Sequence, residues 1–194
     1  MTADLDPLPD WVRPPPEGFQ AADLDRLPEL PHRAELIDGS LVFPAFQSCF
    51  HSVTLSLLQA GLQATVPPGF RVRRDMSVIL NRAQRPKPDL SVVAAAACVS
   101  RAETFYHAAD VSLVTEVVSP DSAIRDRERK PQLYAQAAIP HFWLVENDSG
   151  RPVVHVFTLR PAERAYDLTG IHHDRLKLTV PFEIDIDLTE IDTL

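Results

Sequence analysis

Ser112-Leu113-Val114-Thr115-Glu116-Val117-Val118-Ser119-Pro120 is a β-branched, apolar run closed by Ser-Pro, with one charge inside it. Such composition predicts a buried strand. Side chains alternate along a strand, so Glu116 shares a face with Val114 and Val118. A carboxylate there loses several kcal/mol of hydration unless a partner or a metal compensates. The alternative is an edge strand with Glu116 pointing into water, and the run by itself leaves both open.

Upstream, Lys87-Pro88-Asp89-Leu90-Ser91-Val92-Val93 places a second carboxylate at a strand opening, where proline is tolerated. Asp89 can belong to a site, or it can satisfy a local backbone donor. Downstream, Asp126, Lys130 and Tyr134 recur every fourth residue and so share one helical face. Pro131 fits that helix only in its first turn, where no intrahelical donor is needed. Two fixed carboxylates can hold a divalent cation, and a nearby ammonium can steady developing negative charge. The plainer alternative for Lys130 is a solvated lysine paired with Asp126. On either account it is expected to be an exposed helical residue whose removal hardly alters stability.

Lys87-Pro-Asp-Leu90, Leu113-Val-Thr-Glu-Val-Val-Ser-Pro-Asp-Ser122, Asp126-Arg-Glu-Arg-Lys-Pro-Gln-Leu-Tyr134 and Ile139-Pro-His-Phe-Trp-Leu-Val-Glu146 together resemble the Uma-two-type restriction endonuclease family of the PD-(D/E)XK nuclease superfamily. The likeness extends upstream to Arg33-Ala-Glu-Leu-Ile-Asp-Gly39 and His51, and downstream to Val153-Val-His-Val-Phe157 and Val180-Pro-Phe-Glu-Ile184. It covers nearly everything from residue 19 onward. It implies an α/β (α+β) domain with a restriction-endonuclease-like core, a central mixed sheet flanked by helices. It also implies a Mg²⁺- or Mn²⁺-dependent endonuclease acting on nucleic acid, with DNA the expected kind. Asp89 and Glu116 match the metal-binding acidic positions. The superfamily's lysine, two residues after the glutamate, is replaced here by Val118, which cannot balance charge. The resemblance assigns the relocated lysine to Lys130. Glu35 also matches a family position and is a candidate to complete the acidic cluster. The competing expectation is a nuclease-fold module that binds or regulates without cutting.

At 194 residues and 45% hydrophobic content, one domain with a substantial core is expected from residue 19 to 194, behind a Pro-rich tail over 1–18. The longest apolar run, Val92 to Val99, is too short to cross a bilayer, and the N-terminus lacks a signal-peptide core, so a cytoplasmic protein without membrane partners is expected. A homodimer is an open option. Cys49 and Cys98 lack metal-site spacing and are expected to be reduced packing residues. With six glycines there is no phosphate-cradling loop, and the seven histidines are scattered, which argues against zinc. His51 is expected to cap or pack, and Tyr134 either packs or orients Lys130. The net charge of −8 argues against nonspecific coating of DNA. Yet Arg71, Arg73, Arg74, Arg82, Arg85 and Lys87 form a basic stretch leading into Asp89. That stretch either contacts phosphates or is a solvated hairpin.

The pattern predicts a short helix over 19–30, a hairpin over 35–43 turning at Asp38-Gly39, and a long helix over 48–65 with Val53, Leu57, Leu58, Ala60 and Leu62 as its apolar stripe. Strands are expected near 70–80, 89–95, 113–118, 141–146, 153–159, 165–168 and 177–184, with the Lys130 helix running to about 138.

Overall fold

The computed structural model describes residues 9–194. The first eight residues of the expected tail lie outside them. Over the rest of that stretch the chain makes a 3-10 turn, and Trp11 meets Phe43 edge-on.

Among the described residues twelve strands and two α-helices follow. Strands β1 (Glu35–Ile37) and β2 (Ser40–Val42) form the expected hairpin. Its turn needs positive φ at both Asp38 (52°) and Gly39 (71°), the conformation an Asp-Gly pair favours. Helix α1 spans Cys49–Thr65, and the Ser48 hydroxyl accepts from the His51 amide as its N-cap. Then come β3 (Phe70–Arg74), β4 (Ser77–Ile79), β5 (Leu90–Ala94), β6 (Phe105–His107) and β7 (Val111–Val117). A single π turn, Arg125–Arg129, runs into α2 (Lys130–Gln136), with Pro131 in the first turn as required. Strands β8 (His141–Asp148), β9 (Arg151–Arg160), β10 (Ala165–His172), β11 (Arg175–Leu178) and β12 (Ile184–Asp187) complete the chain.

The central sheet has six strands in the order β10-β9-β8-β7-β5-β3. Only β7 and β8 run parallel, because the α2 crossover carries the chain back to the same end. The result is a mixed α/β architecture with a layer on each sheet face. On one face α1 and the β11–β12 hairpin bury Leu55, Leu58, Leu62, Ile184 and Ile186 against Leu90, Leu113, Val117 and Trp143. Gly61 permits this approach, since a Cβ there would fall 2.5 Å from Ile186. On the other face Tyr134 of α2 packs with Val114, Phe142 and Leu144, beside Val78 and Tyr106.

Local signals and structure part company in several places. The expected 19–30 helix shrinks to a five-residue 3-10 helix, Ala21–Asp25, ahead of Pro28 and the left-handed Glu29. The strand expected over 70–80 is broken at Asp75, whose φ is 53°. The one expected over 177–184 is two strands folded back on each other around Val180-Pro181. Leu57, Leu58 and Leu62 of the expected α1 stripe are buried, together with His51, Thr54 and Leu55, while Val53 is half-buried and Ala60 exposed.

A carboxylate cleft around Lys130

Sheet register brings the two acidic positions together. Leu90 pairs with Thr115 across β5 and β7, so one further step sets Asp89 opposite Glu116. Both line one cleft and each is at most 4% exposed, Glu116 on the face covered by α2 and Asp89 within reach of α1. Asp89 does accept a backbone donor, but not a local one: its Oδ2 takes the Val117 amide at 2.8 Å. Its Oδ1 lies 3.1 Å from His51 Nε2 and 3.2 Å from the Arg33 guanidinium.

Glu116 is the buried alternative, not the edge one. Its Oε1 accepts from the Tyr134 hydroxyl and its Oε2 from Lys130 Nζ at 3.0 Å. Lys130 Nζ also sits 3.1 Å from Glu35 and 3.2 Å from Asp126. Glu35 arrives because the hairpin is clamped to the segment before Asp89, with Leu36 and Arg85 exchanging backbone hydrogen bonds. The Lys87 amide donates to Glu35 Oε1 at 2.8 Å. The π turn, in which the Lys130 amide donates to Arg125 O, lets Asp126 turn inward while Ser122 donates to it. One end of the arrangement is also tied from outside, where Arg129 pairs with Asp38 at the hairpin turn.

Lys130 is therefore not the exposed helical lysine that its i, i+4 spacing suggested. It is 4% exposed, because α2 lays this face on the sheet end where three carboxylates converge. Of the four carboxylates that line the cleft, Glu35, Glu116 and Asp126 converge on this one ammonium and Asp89 pairs with Arg33, with Lys87 also in the lining. Electrostatics record the imbalance. Burial pushes the Glu116 carboxyl well above the carboxylate range against the pull of Lys130, with Asp126, Asp89 and Glu35 adding to the rise. Burial likewise raises Asp126. Burial raises Asp89 as well, but His51 and the Val117 amide outweigh it and hold its pKa below the ordinary value. The Lys130 ammonium is stabilised by its carboxylates beyond what burial removes. Burial and neighbouring Glu116 keep Tyr134 a neutral phenol that donates.

Among the described residues no three His, Cys, Asp or Glu side chains form a ready-made metal cage. Mg²⁺ does not require one: it commonly uses one or two carboxylates and completes its shell with waters and substrate phosphate. The cleft encloses about 20 Å³, above the roughly 10–15 Å³ that one water-sized sphere needs. Asp89 and Glu116 offer the hard oxygen donors that could hold a divalent cation, Asp89 in exchange for Arg33 or His51 and Glu116 in exchange for Lys130.

Other expectations resolve differently. In the basic stretch Arg71 and Arg82 are exposed, and the others have partners within the protein. Arg71 binds backbone carbonyls, Arg73 binds Tyr106, Arg74 pairs with Asp75, and Lys87 reaches His32 O. Arg85, 3% exposed, grips Asp25. His51, expected to cap or pack, instead meets Asp89. The contacts of Arg33 and His51 leave no local signal, because their partner Asp89 lies on another element, whereas Ser122 stands four residues before its partner Asp126. For Asp126 and Tyr134 the four-residue spacing to Lys130 was the clue.

The chain is thus a mixed α/β domain with a buried carboxylate cleft at the end of its central strands. The chain belongs to the Uma2 family, whose model matches residues 21–189 and is described as "Putative restriction endonuclease". A similar solved structure is that of "a putative nuclease belonging to DUF820" from Anabaena variabilis, at 15% identity and a TM-score of 0.68, covering 90% of this chain and 98% of that one. At that identity the likeness speaks for the fold. No curated protein matches the chain. Among the described residues no helix is long and apolar enough to cross a membrane.

Proposed function

We propose that this protein is a Mg²⁺- or Mn²⁺-dependent endonuclease that hydrolyses nucleic-acid phosphodiester bonds, with DNA the favoured substrate. The observation that carries the reading is the convergence of three carboxylates on Lys130 in a cleft that has room for a water-sized group. Asp89 and Glu116 would hold the cation. When bound, it would polarise the phosphate and make attacking water more acidic. Asp89 is suited to this because His51 and the Val117 amide keep it ionised and fixed. Tyr134 holds one oxygen of Glu116, leaving the carboxylate little freedom to rotate. Lys130 remains a charged donor in the cleft, able to orient water or offset charge on the phosphate. Glu35 and Asp126 keep its ammonium at the reacting end of the strands.

One observation favours a second reading. Lys130 bridges three carboxylates, so it can act as a structural counter-ion in a fold that binds without cutting. Plasmid nicking separates the two. The endonuclease nicks supercoiled plasmid with Mg²⁺ or Mn²⁺, stops with chelator, and loses activity in Glu116→Gln. A protein that never nicks, and whose melting temperature ignores both metals, is the module.

A further inference from the structure

Phe46 is fully exposed, at 106% of the reference area. It sits in the loop between β2 and α1, and Pro44 and Gln47 on either side of it line the carboxylate cleft. The same loop carries Phe43, 43% exposed and edge-on to Trp11. The loop's Ala45 amide donates to Asp121, tying it to the segment that bears Ser122 of the cleft and Ile124, itself 75% exposed. Single exposed apolar residues are ordinary. Three of them on two linked loops that border one candidate site are a rim.

Charge argues in the same direction. Duplex binding draws its affinity mainly from lysines and arginines laid along the phosphates. Here the chain carries a net −8, and the arginines nearest the cleft are held in ion pairs: Arg125 with Asp121, Arg127 with Glu146, Arg129 with Asp38, and Arg33 with Asp89. In the basic stretch before Asp89, Arg73, Arg74, Arg85 and Lys87 have partners within the protein as well, while Arg71 and Arg82 are exposed. Exposed apolar rings gain from bases, whose faces are covered in a duplex but open where strands are unpaired.

We infer that the rim formed by Phe46 and Phe43 stacks on unpaired nucleobases, so that the substrate is single-stranded or locally unpaired nucleic acid beside the scissile phosphate. This rests on the proposed endonuclease reading for the scissile phosphate, but not for the stacking itself. The test uses the full chain and an oligonucleotide carrying 2-aminopurine, either single-stranded, within a bubble, or fully duplexed. Binding is followed by base fluorescence in chelator, and cleavage separately in Mn²⁺. Stacking quenches the unpaired probes, and Phe46→Ala weakens their binding about 5- to 100-fold, while Phe46→Trp restores it. Because Phe46 is exposed, all variants melt with the parent. In cleavage the loss falls on KM more than on kcat. Binding that disappears in Phe46→Ala without any cleavage by the parent upholds the stacking surface and removes the endonuclease reading. Cleavage that is equally fast on duplex and unpaired substrates, or unpaired binding unchanged in Phe46→Ala, overturns the inference and leaves the endonuclease reading in place.

Discussion

Two buried cations in this molecule have opposite surroundings. Arg85 makes a two-pronged pair with Asp25 at 2.8 and 2.9 Å and gives another bond to Ala21 O. That pairing is balanced, its acid is 42% exposed, and it pins the 3-10 segment to the sheet's flank. Lys130 faces three carboxylates at 3.0 to 3.2 Å, with Asp89 in the same cleft. Burying charge is costly even when it is matched. A fold under selection for stability alone has no reason to keep a mismatch in which Glu116 is pushed toward protonation. The contrast separates a fastening from the proposed site.

The largest difference should be in catalysis. Glu116→Gln is expected to lower metal-dependent nicking about a thousandfold or more, several kcal/mol of transition-state stabilisation. Asp25→Asn, which weakens the balanced pair, should leave the nicking rate per folded molecule unchanged. Equal losses in both would mean that the contrast is not functional.

Stability should separate the two cations next. Lys130→Ala leaves three buried carboxylates without their counter-ion and is expected to cost about 3–5 kcal/mol in chemical denaturation. This replaces the expectation of a neutral substitution drawn from an exposed lysine. Arg85→Ala should cost less, about 1–3 kcal/mol, because Asp25 can return to water. The reverse order would make Arg85 the more heavily committed cation.

Metal should stabilise one region only. A cation at a hundred times its dissociation constant adds about 2.7 kcal/mol, which calorimetry would register as a rise of roughly 5–10 °C for a chain of this size. Arg85→Ala should keep that response. Glu116→Gln should lose it, while melting at least as high as the parent without metal, since one of the like charges is gone.

The smallest expected effect is the pH dependence of the metal-free protein. The folded Glu116 carboxyl holds its proton to higher pH than the unfolded chain does. Between the ordinary carboxylate value and that raised one, the folded state binds more protons, so stability falls as pH rises through the window. Asp89 has the opposite sign: its lowered pKa contributes stability above the ordinary value that is lost as pH falls through the folded one. Denaturation midpoints of the parent should therefore decline on the alkaline side of the carboxylate range. Glu116→Gln should flatten that limb, and an unchanged slope would remove Glu116 as its source.

Much of this architecture is written locally. The Val114–Val118 run, the Asp38-Gly39 turn and the Ser48 cap specify β7, the hairpin and the start of α1, because φ preferences, capping and alternation act within a few residues. Glu35, Asp89, Glu116 and Lys130 were legible as a set through the resemblance to a nuclease family, and the structure brings all four into one cleft. What the sequence could not decide is what surrounds them. His51 and Arg33 reach Asp89 from 38 and 56 positions away in the chain, and Arg85 turns from a candidate phosphate contact into an internal clamp. The burial of Lys130 depends on how α2 crosses the end of β7, and the exposure of Phe46 on where its loop lies beside the cleft. Those outcomes follow from sheet register and helix crossing, which unite residues with no local influence on one another. The identities of the acids belong to the sequence; their convergence on Lys130 belongs to the tertiary structure.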